Sequence, residues 1–186
     1  MDNWIFMGII LVLILMVVFV VTTYNGLIKM RNRIEEAFST MDVYLKKRYD
    51  LIPNLIETVK GYTKHEKETL QAVIAARTQA VSSSSVEEQL SAEKGLNRAL
   101  GRLFAVAESY PDLKANQNYL DLQKSLKDME AEIANSRKYY NGVVVEFNTK
   151  IEMFPTNILA SIFKFTKQTL YEISNEDERE NVKVSF

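Results

Sequence analysis

Residues 3–28 read NWIFMGIILVLILMVVFVVTTYNGLI and contain no charged side chain. A helix rises about 1.5 Å per residue and the hydrocarbon core of a bilayer is roughly 30 Å thick, so this stretch is long enough to cross a membrane once. Trp4 and Tyr24 lie near its two ends, and such amphipathic aromatic rings favour the membrane–water interfaces. The sequence therefore predicts a transmembrane anchor over residues 1–28.

A cleaved signal peptide is the alternative interpretation of this apolar stretch. It would need a basic leader and a cleavage site made of small residues. The residue before the stretch is Asp2, and residues 20–24 read VVTTY, which is a poor cleavage site. We therefore expect the anchor to be retained.

The charges that flank the anchor predict its orientation. Lys29, Arg31 and Arg33 follow it, whereas Asp2 precedes it. Lys and Arg residues close to a membrane span are retained on the cytoplasmic side. We expect the N-terminus outside and the body in the cytoplasm, with an extracytoplasmic body as the alternative.

The charge balance disfavours nucleic-acid binding. The chain has 23 Lys and Arg residues against 24 Asp and Glu residues, with a net charge of −1. A nucleic-acid binder normally carries a basic surplus that neutralises phosphates. The cluster Lys46, Lys47 and Arg48 lies more than a Debye length beyond the anchor on a continuous helix, so it is predicted to be a solvated helix end or a protein contact rather than a lipid patch.

Apolar residues recur three and four positions apart through most of the body, and this periodicity predicts long helices. The first body helix has Leu27, Met30, Ile34, Phe38, Met41 and Leu45 on one face. Asp50 is predicted to cap a second helix with Pro53 in its first turn, because proline is tolerated there. Ser85 and Glu88 form a capping box for a third helix, and Asn116 is predicted to cap the fourth.

The fourth helix has the most regular pattern. Its apolar face comprises Tyr119, Leu122, Leu126, Met129, Ile133, Ser136, Tyr140, Val143, Phe147, Ile151 and Phe154. Such spacing favours near-antiparallel packing, and short connections favour an up-and-down bundle. Because shorter helices could not cover so long a stripe, we expect part of it to contact another copy of the chain.

The last part of the chain changes character twice. Residues 155–173 predict a short amphipathic helix that either packs on the bundle, which we favour, or lies on a membrane surface. Residues 174–186 form an acidic tail with a strand-like end, in which Val182, Val184 and Phe186 alternate with polar residues. This end is predicted either to dock on a neighbouring copy or to fray.

These patterns together predict an all-α protein. It has an N-terminal transmembrane helix over residues 1–28 and an antiparallel four-helix-type bundle with long helices over residues 29–154. The amphipathic helix of residues 155–173 and the tail of residues 174–186 follow.

Few groups could support catalysis or bind a cofactor. His65 is the only histidine and the chain has no cysteine, so zinc, haem and di-iron sites built on those ligands are disfavoured. There is no calcium loop, phosphate-binding glycine loop or nucleophile elbow. Glu57, Glu108 and Glu130 lie near apolar stripes, where interhelical ion pairs are expected. We expect no cofactor, no metal and no catalytic residue.

Several motifs, taken together, identify a family resemblance. Residues 46–62 read KKRYDLIPNLIETVKGY and are followed by His65 and Glu66; YPDLKAN occurs at 110–116, RKYYN at 137–141 and FKF at 163–165. These motifs resemble those of the bacterial LemA family along nearly the whole chain. Phe147 departs from the family's usual tyrosine, which removes a hydroxyl and leaves the resemblance intact.

The resemblance implies a single-pass helical protein of the bacterial inner membrane without an established activity. Family members are often encoded beside membrane proteases, which suggests an adaptor role. The candidate interaction surface comprises Lys46, Lys47, Arg48, Asp50, Pro53, Phe163, Phe165, Val182, Val184 and Phe186.

Three functions remain in competition. The first is a homo-oligomeric scaffold at the membrane, supported by the long apolar stripe and the strand-like tail. The second is an adaptor or regulator of another membrane protein, such as a protease. The third and least favoured is an enzyme that uses carboxylates.

Overall fold

The computed structural model describes the backbone of residues 2–171 and the side chains from residue 3 onward. This part of the chain contains six helices and no strand, which confirms the all-α prediction. The helices are α1 (Asp2–Lys60), α2 (Lys67–Ser82), α3 (Val86–Ala107), α4 (Pro111–Lys114), α5 (Gln117–Glu152) and α6 (Thr156–Ile162). The predicted strand-like end of the tail, at residues 182–186, lies outside the described residues.

Helix α1 is continuous through the segment where a break was predicted. The expectation that Asp50 caps a new helix is wrong, because Asp50 and Pro53 are both internal to α1. A proline inside a helix leaves the carbonyl four residues earlier without its N–H donor. Here Arg77 Nε donates a hydrogen bond to the Tyr49 carbonyl at 2.8 Å, so a side chain from α2 replaces the missing donor.

The chain divides into two compact units. Unit 1 comprises Met1–Asp42 and Ala134–Leu170, and unit 2 comprises Val43–Ile133 and the chain from Tyr171. Unit 1 therefore contains the apolar N-terminal segment, the second half of α5, and α6. Unit 2 contains the end of α1, α2 to α4, and the first half of α5.

The apolar segment of unit 1 differs sharply from the rest of α1 in its burial. Residues 3–19 are all exposed, and Leu27 is the first residue of α1 to be fully buried. Within the described part of the chain, α1 is the one helix long and apolar enough to cross a membrane by length and composition. The predicted apolar stripe is confirmed from Leu27 onward, with Ile34, Ala37 and Met41 in the core.

Helices α1 and α5 run antiparallel within unit 1. The Phe38 and Tyr140 rings meet edge to face with centroids 5.9 Å apart, and Arg33 Nε donates to the Tyr139 hydroxyl at 3.2 Å. Arg33 Nη1 also lies 3.8 Å from a Glu146 carboxylate oxygen. Tyr140, Val143, Val144 and Phe147 provide the α5 side of this core.

Helix α6 is shorter than predicted, since it ends at Ile162 rather than continuing to residue 173. Lys164 has a φ of 58°, the left-handed conformation that terminates many helices. The Phe165 amide donates to the Ala160 carbonyl at 2.9 Å and the Lys164 amide to the Ser161 carbonyl at 3.2 Å. These two bonds form a Schellman motif, which satisfies the last carbonyls of α6 and turns the chain away.

Unit 2 is built around a helical hairpin of α2 and α3. Ser85 caps α3 as predicted, with its Oγ accepting a hydrogen bond from the Glu88 amide at 3.1 Å. The Glu88 carboxylate reaches back to the amide and hydroxyl of Ser84, both at 2.9 Å, one residue earlier than in a standard capping box. The core contains Leu45, Ile52, Leu55 and Val59 of α1, Val73 of α2, Leu96 and Leu103 of α3, and Tyr119 and Leu126 of α5.

The start of α5 follows its predicted cap. Asn116 Oδ1 accepts a hydrogen bond from the Tyr119 amide at 2.9 Å, while its Nδ2 donates to the Tyr62 hydroxyl at 2.8 Å. Along α5 the predicted apolar stripe is buried or half-buried from Tyr119 to Ile151, and only Phe154 is exposed. Because α1 extends to Lys60, the chain covers this stripe itself, and the stripe gives no reason to require a second copy.

Candidate functional site

The most distinctive polar arrangement in unit 2 surrounds Arg48, within the Lys46–Tyr62 motif. Arg48 is only 5% exposed. Its Nη1 lies 3.0 Å from carboxylate oxygens of both Glu93 and Glu130, and its Nη2 donates to the Asn97 side-chain oxygen. Glu93 and Asn97 belong to α3 and Glu130 to α5, so one guanidinium joins three helices. With Tyr49, these residues are called the Arg48 cluster below.

Glu93 is the most buried acidic group of the cluster, with an exposure of 0%. One of its oxygens receives Arg48, and the other accepts a hydrogen bond from the Tyr49 hydroxyl at 2.6 Å. Burial raises the pKa of the Tyr49 hydroxyl well above its usual value, and the Glu93 carboxylate raises this pKa further. Tyr49 is therefore a neutral donor at physiological pH, and both oxygens of Glu93 have a partner.

Helix α2 contacts α1 at the same turn that carries Arg48 and Tyr49. Arg77 of α2 binds the Tyr49 carbonyl that Pro53 leaves without a backbone donor. Arg48 and Tyr49, two adjacent residues of α1, therefore connect α1 to α2, α3 and α5. The motif of residues 46–62, which carries the family resemblance, thus holds four helices together through Arg48 and Tyr49.

The chemistry of the Arg48 cluster is structural. A buried carboxylate is stable only when paired and hydrogen-bonded, and Glu93 satisfies both requirements. Catalysis would require a base, acid or nucleophile directed at a substrate, whereas these groups are directed at each other. Residues 3–171 contain no group of three or more His, Cys, Asp or Glu side chains that could hold a metal ion.

The predicted interaction residues of the motif are divided between surface and core. Lys46, Lys47, Asp50 and Pro53 are exposed, whereas Arg48 is buried. Lys46, Lys47, Asp50 and Pro53 remain a predicted contact surface, and Arg48 contributes no accessible charge to it. Val182, Val184 and Phe186 lie beyond the described residues.

The structure brings Tyr24 together with the other predicted aromatic residues, Phe163 and Phe165. The Tyr24 ring centroid lies 4.7 Å from that of Phe163 and 6.0 Å from that of Phe165. Phe165 also contacts Phe147 at 6.3 Å. Of the other predicted anchor residues, Trp4 is 84% exposed, and Lys29, Arg31 and Arg33 are exposed around the helix that follows.

Sequence reasoning identified only part of the Arg48 cluster. The interhelical ion pair of Glu130 was predicted, and it is confirmed. Glu57 instead pairs within its own helix with Lys60, and Glu108 pairs with Lys114. Glu93, Asn97 and Arg77 were missed.

An open groove of about 650 Å³ lies between α3 and α5 beside the cluster. Leu100, Phe104 and Leu120 provide apolar side chains, while Gln123, Lys124 and Lys127 add polar and basic groups. The Arg48–Glu130 pair also lines it. The groove is therefore amphipathic, with apolar side chains beside polar and charged ones.

Comparison with known proteins places this arrangement in a family. The model of the LemA family matches residues 37–186, which include all of the Arg48 cluster. The chain belongs to the LemA family. The match begins after the apolar segment of residues 3–28.

Individual relatives agree with the family assignment. Protein LemA of Metamycoplasma hominis is 29% identical over 163 residues, covering 87% of this chain and 74% of that protein. Magnetosome protein MamQ 2 of Paramagnetospirillum magneticum is 27% identical over 175 residues, covering 80% and 64%. Magnetosome protein MamQ of Magnetospirillum gryphiswaldense is 25% identical over 170 residues, covering 77% and 62%. The chain thus spans less than two thirds of these magnetosome proteins, and none of the three names is that of an enzyme.

Proposed function

We propose that this LemA-family chain is a single-pass, membrane-anchored helical scaffold that self-associates at the membrane and has no catalytic role. The observation that carries the proposal lies in α1. The exposed, uncharged residues 3–19 lead without a break into the buried stripe that begins at Leu27. One helix thus provides both the anchor and part of the core of unit 1.

The exposure of the apolar segment is what supports membrane insertion. Apolar surface costs about 25 cal/mol per Å² when it stays in water, and every residue from 3 to 19 is exposed. A bilayer removes this cost, because hydrocarbon replaces water around the helix. Lys29, Arg31 and Arg33 favour a bacterial inner-membrane protein with its N-terminus outside and its body in the cytoplasm.

Exposed apolar residues of α2 support self-association. Ile74 is 48% exposed and Val81 55% exposed, and they lie seven positions apart, two helical turns along one face. Apolar residues repeated at this spacing on a solvent-facing helix suit a helix–helix contact with a second copy. Association of copies gathers their anchors, since body and anchor belong to one chain.

Cysteine crosslinking tests this proposal directly, because the chain has no native cysteine. Ile74→Cys and Val81→Cys should give dimers with a short bismaleimide in membranes. Gln79→Cys, which is exposed on another face of α2, is the matched control and should give none. A strictly monomeric species by light scattering in detergent at micromolar concentration, together with no crosslinking at Val81, would refute self-association.

The groove between α3 and α5 favours a second candidate, an adaptor that holds another membrane protein. A photo-crosslinking amino acid in place of Leu120 should then trap a different polypeptide in cells. The same amino acid in place of Asp121, which is exposed but does not line the groove, should not. Products containing only this chain at Leu120 would contradict the adaptor role and support the scaffold.

A further inference from the structure

We propose that the end of α5 and helix α6 form a second membrane contact, in which apolar side chains of unit 1 insert into the bilayer interface beside the anchor. This inference rests on the proposed membrane insertion of residues 3–19. The contact surface, called the apolar patch, consists of five exposed residues. They are Met153 (55% exposed), Phe154 (79%), Ile158 (52%), Ile162 (64%) and Phe163 (43%).

Helix α6 carries apolar residues on two faces. Its inner face buries Leu159 and Ala160, so it packs on unit 1 as the sequence predicted. Its outer face presents Ile158 and Ile162, four positions apart and therefore adjacent on the helix surface. Asn157 and Ser161 are also exposed, so the outer face is amphipathic, whereas a helix that only packs on a soluble body has a mainly polar outer face.

The register of α1 and α5 places the patch at the level of the anchor. Tyr140 contacts Phe38, and Glu146 lies near Arg33, so residues further along α5 lie nearer the start of α1. At an equal rise per residue in both helices, the end of α5 lies level with about residue 26 of α1. The contact between Phe163 and Tyr24, with ring centroids 4.7 Å apart, confirms this level at the other end of the patch.

The patch is held firmly in place. The Schellman motif at Lys164 directs Phe165 onto Tyr24 and Phe147. The following segment is fastened by Asn148, whose side chain donates to the Gln168 carbonyl and accepts from the Gln168 amide, both at 2.9 Å. These contacts hold the C-terminal end of the patch, at Phe163, beside Tyr24 of α1.

The surroundings identify the bilayer as the occupant. The patch is continuous with the apolar anchor through Tyr24, and aromatic rings such as Tyr24 prefer the interfacial region. Lys29, Arg31 and Lys164 are exposed nearby and can meet anionic headgroups. A second copy would need its own apolar surface at the same depth, where lipid is already present.

Depth-dependent quenching tests the proposal on the full chain in vesicles of phosphatidylcholine and phosphatidylglycerol. An environment-sensitive fluorophore is attached to Ile158→Cys or Ile162→Cys, and lipids with a nitroxide on the upper acyl chain are added. We expect a blue-shifted emission and a clear loss of intensity at both positions. Asn135→Cys, an exposed polar site of unit 1, is the matched control and should lose none.

A label at Leu13→Cys separates the two proposals when it is read with lipids that carry the nitroxide deep in the acyl chain, because Leu13 lies at the middle of the proposed span. Quenching at Leu13 without quenching at Ile158 and Ile162 overturns the second contact and leaves the anchor intact. No quenching at Leu13 overturns the membrane anchor itself. A blue-shifted label at Ile158 that nitroxide lipids do not quench, but that transfers energy to a labelled copy, overturns the proposal in favour of a protein contact.

Discussion

Replacement of Arg48 by alanine is the strongest test of the fastening between the helices of unit 2. The substitution leaves Glu93 completely buried without a cation, and removes the donor to Asn97 and Glu130. Breaking a buried ion pair by removing one partner costs about 3–5 kcal/mol, because the remaining charge stays desolvated. Domains are stable by only about 5–15 kcal/mol, so Arg48→Ala should remove a large part of the free energy of unfolding.

The matched control is Lys46→Ala in the same motif. Lys46 is exposed, and substitutions at exposed sites usually change the free energy of unfolding by less than about 0.5 kcal/mol. Urea titration in detergent, followed by circular dichroism, measures both variants, and an unchanged m value shows that the same surface unfolds.

A double variant isolates the cause of the loss. Adding Glu93→Gln to Arg48→Ala replaces the uncompensated carboxylate by a neutral amide, so it should recover part of the lost stability. If Arg48→Ala and Lys46→Ala have equally small effects, or if Glu93→Gln makes the double variant worse, the assignment of Arg48 as a buried fastening is wrong.

Three further variants test local features of the fold. Arg77→Ala should lower the free energy of unfolding by about 1–3 kcal/mol, because the Tyr49 carbonyl loses its hydrogen-bond donor. Adding Pro53→Ala restores a backbone N–H to this carbonyl, so the double variant should recover most of the lost free energy in the same urea titration. Lys164→Gly should raise the thermal midpoint, since a left-handed residue other than glycine costs roughly 1–2 kcal/mol; an unchanged midpoint would show that the φ of 58° is not strained. Hydrogen bonds from Ser84 lower the pKa of the Glu88 carboxyl. The stability that these bonds provide is present above the ordinary pKa of glutamate and is lost as the pH falls through the lowered value. The thermal midpoint of Glu88→Gln should therefore fall less on acidification than that of the unmodified chain, and equal decreases would contradict this.

Features governed by local sequence were predictable. The long apolar helix at the N-terminus followed from the length and the absence of charge of residues 3–28, and the caps at Ser85 and Asn116 followed from side chains that bond amides three residues away. The stripe of α5 followed from its spacing. Each of these depends on residues close together in the chain, so no knowledge of distant partners is needed.

The continuity of α1 was not predictable from local rules. An aspartate three residues before a proline usually begins a helix, and Asp50 with Pro53 fits that pattern. The rule fails here because Arg77, far along the chain, replaces the lost donor. A tertiary contact thus overrides a local preference.

The spacing of apolar residues around Arg48 indicates that it is buried, and the prediction of a solvated helix end or protein contact overlooked this spacing. Met41, Leu45, Ile52 and Leu55 are spaced so that position 48 falls on the same buried face. Three consecutive cations resembled a solvated patch, although neighbouring helix positions point about 100° apart and cannot all be exposed. When the three-and-four spacing of the buried residues is continued across Lys46, Lys47 and Arg48, position 48 falls in the core.

The burial of Glu93, the acidic partner of Arg48, is also indicated by helical spacing. Glu93 lies on the face of α3 that includes Leu96, Leu100 and Leu103, at helical spacing. A carboxylate at such an inward position requires a cation from another helix. Which cation it binds depends on the packing of α1 against α3, which single-sequence patterns do not determine.

The composition of unit 1 has a consequence for the order in which the protein is made. Its first part, Met1–Asp42, leaves the ribosome early, whereas its second part, Ala134–Leu170, follows only after almost all of unit 2. Domains fold as units during synthesis, and contacts between distant segments form late. The stripe from Leu27 to Met41 therefore has no α5 partner until nearly all of unit 2 has been synthesised, and we expect unit 2 to fold before unit 1.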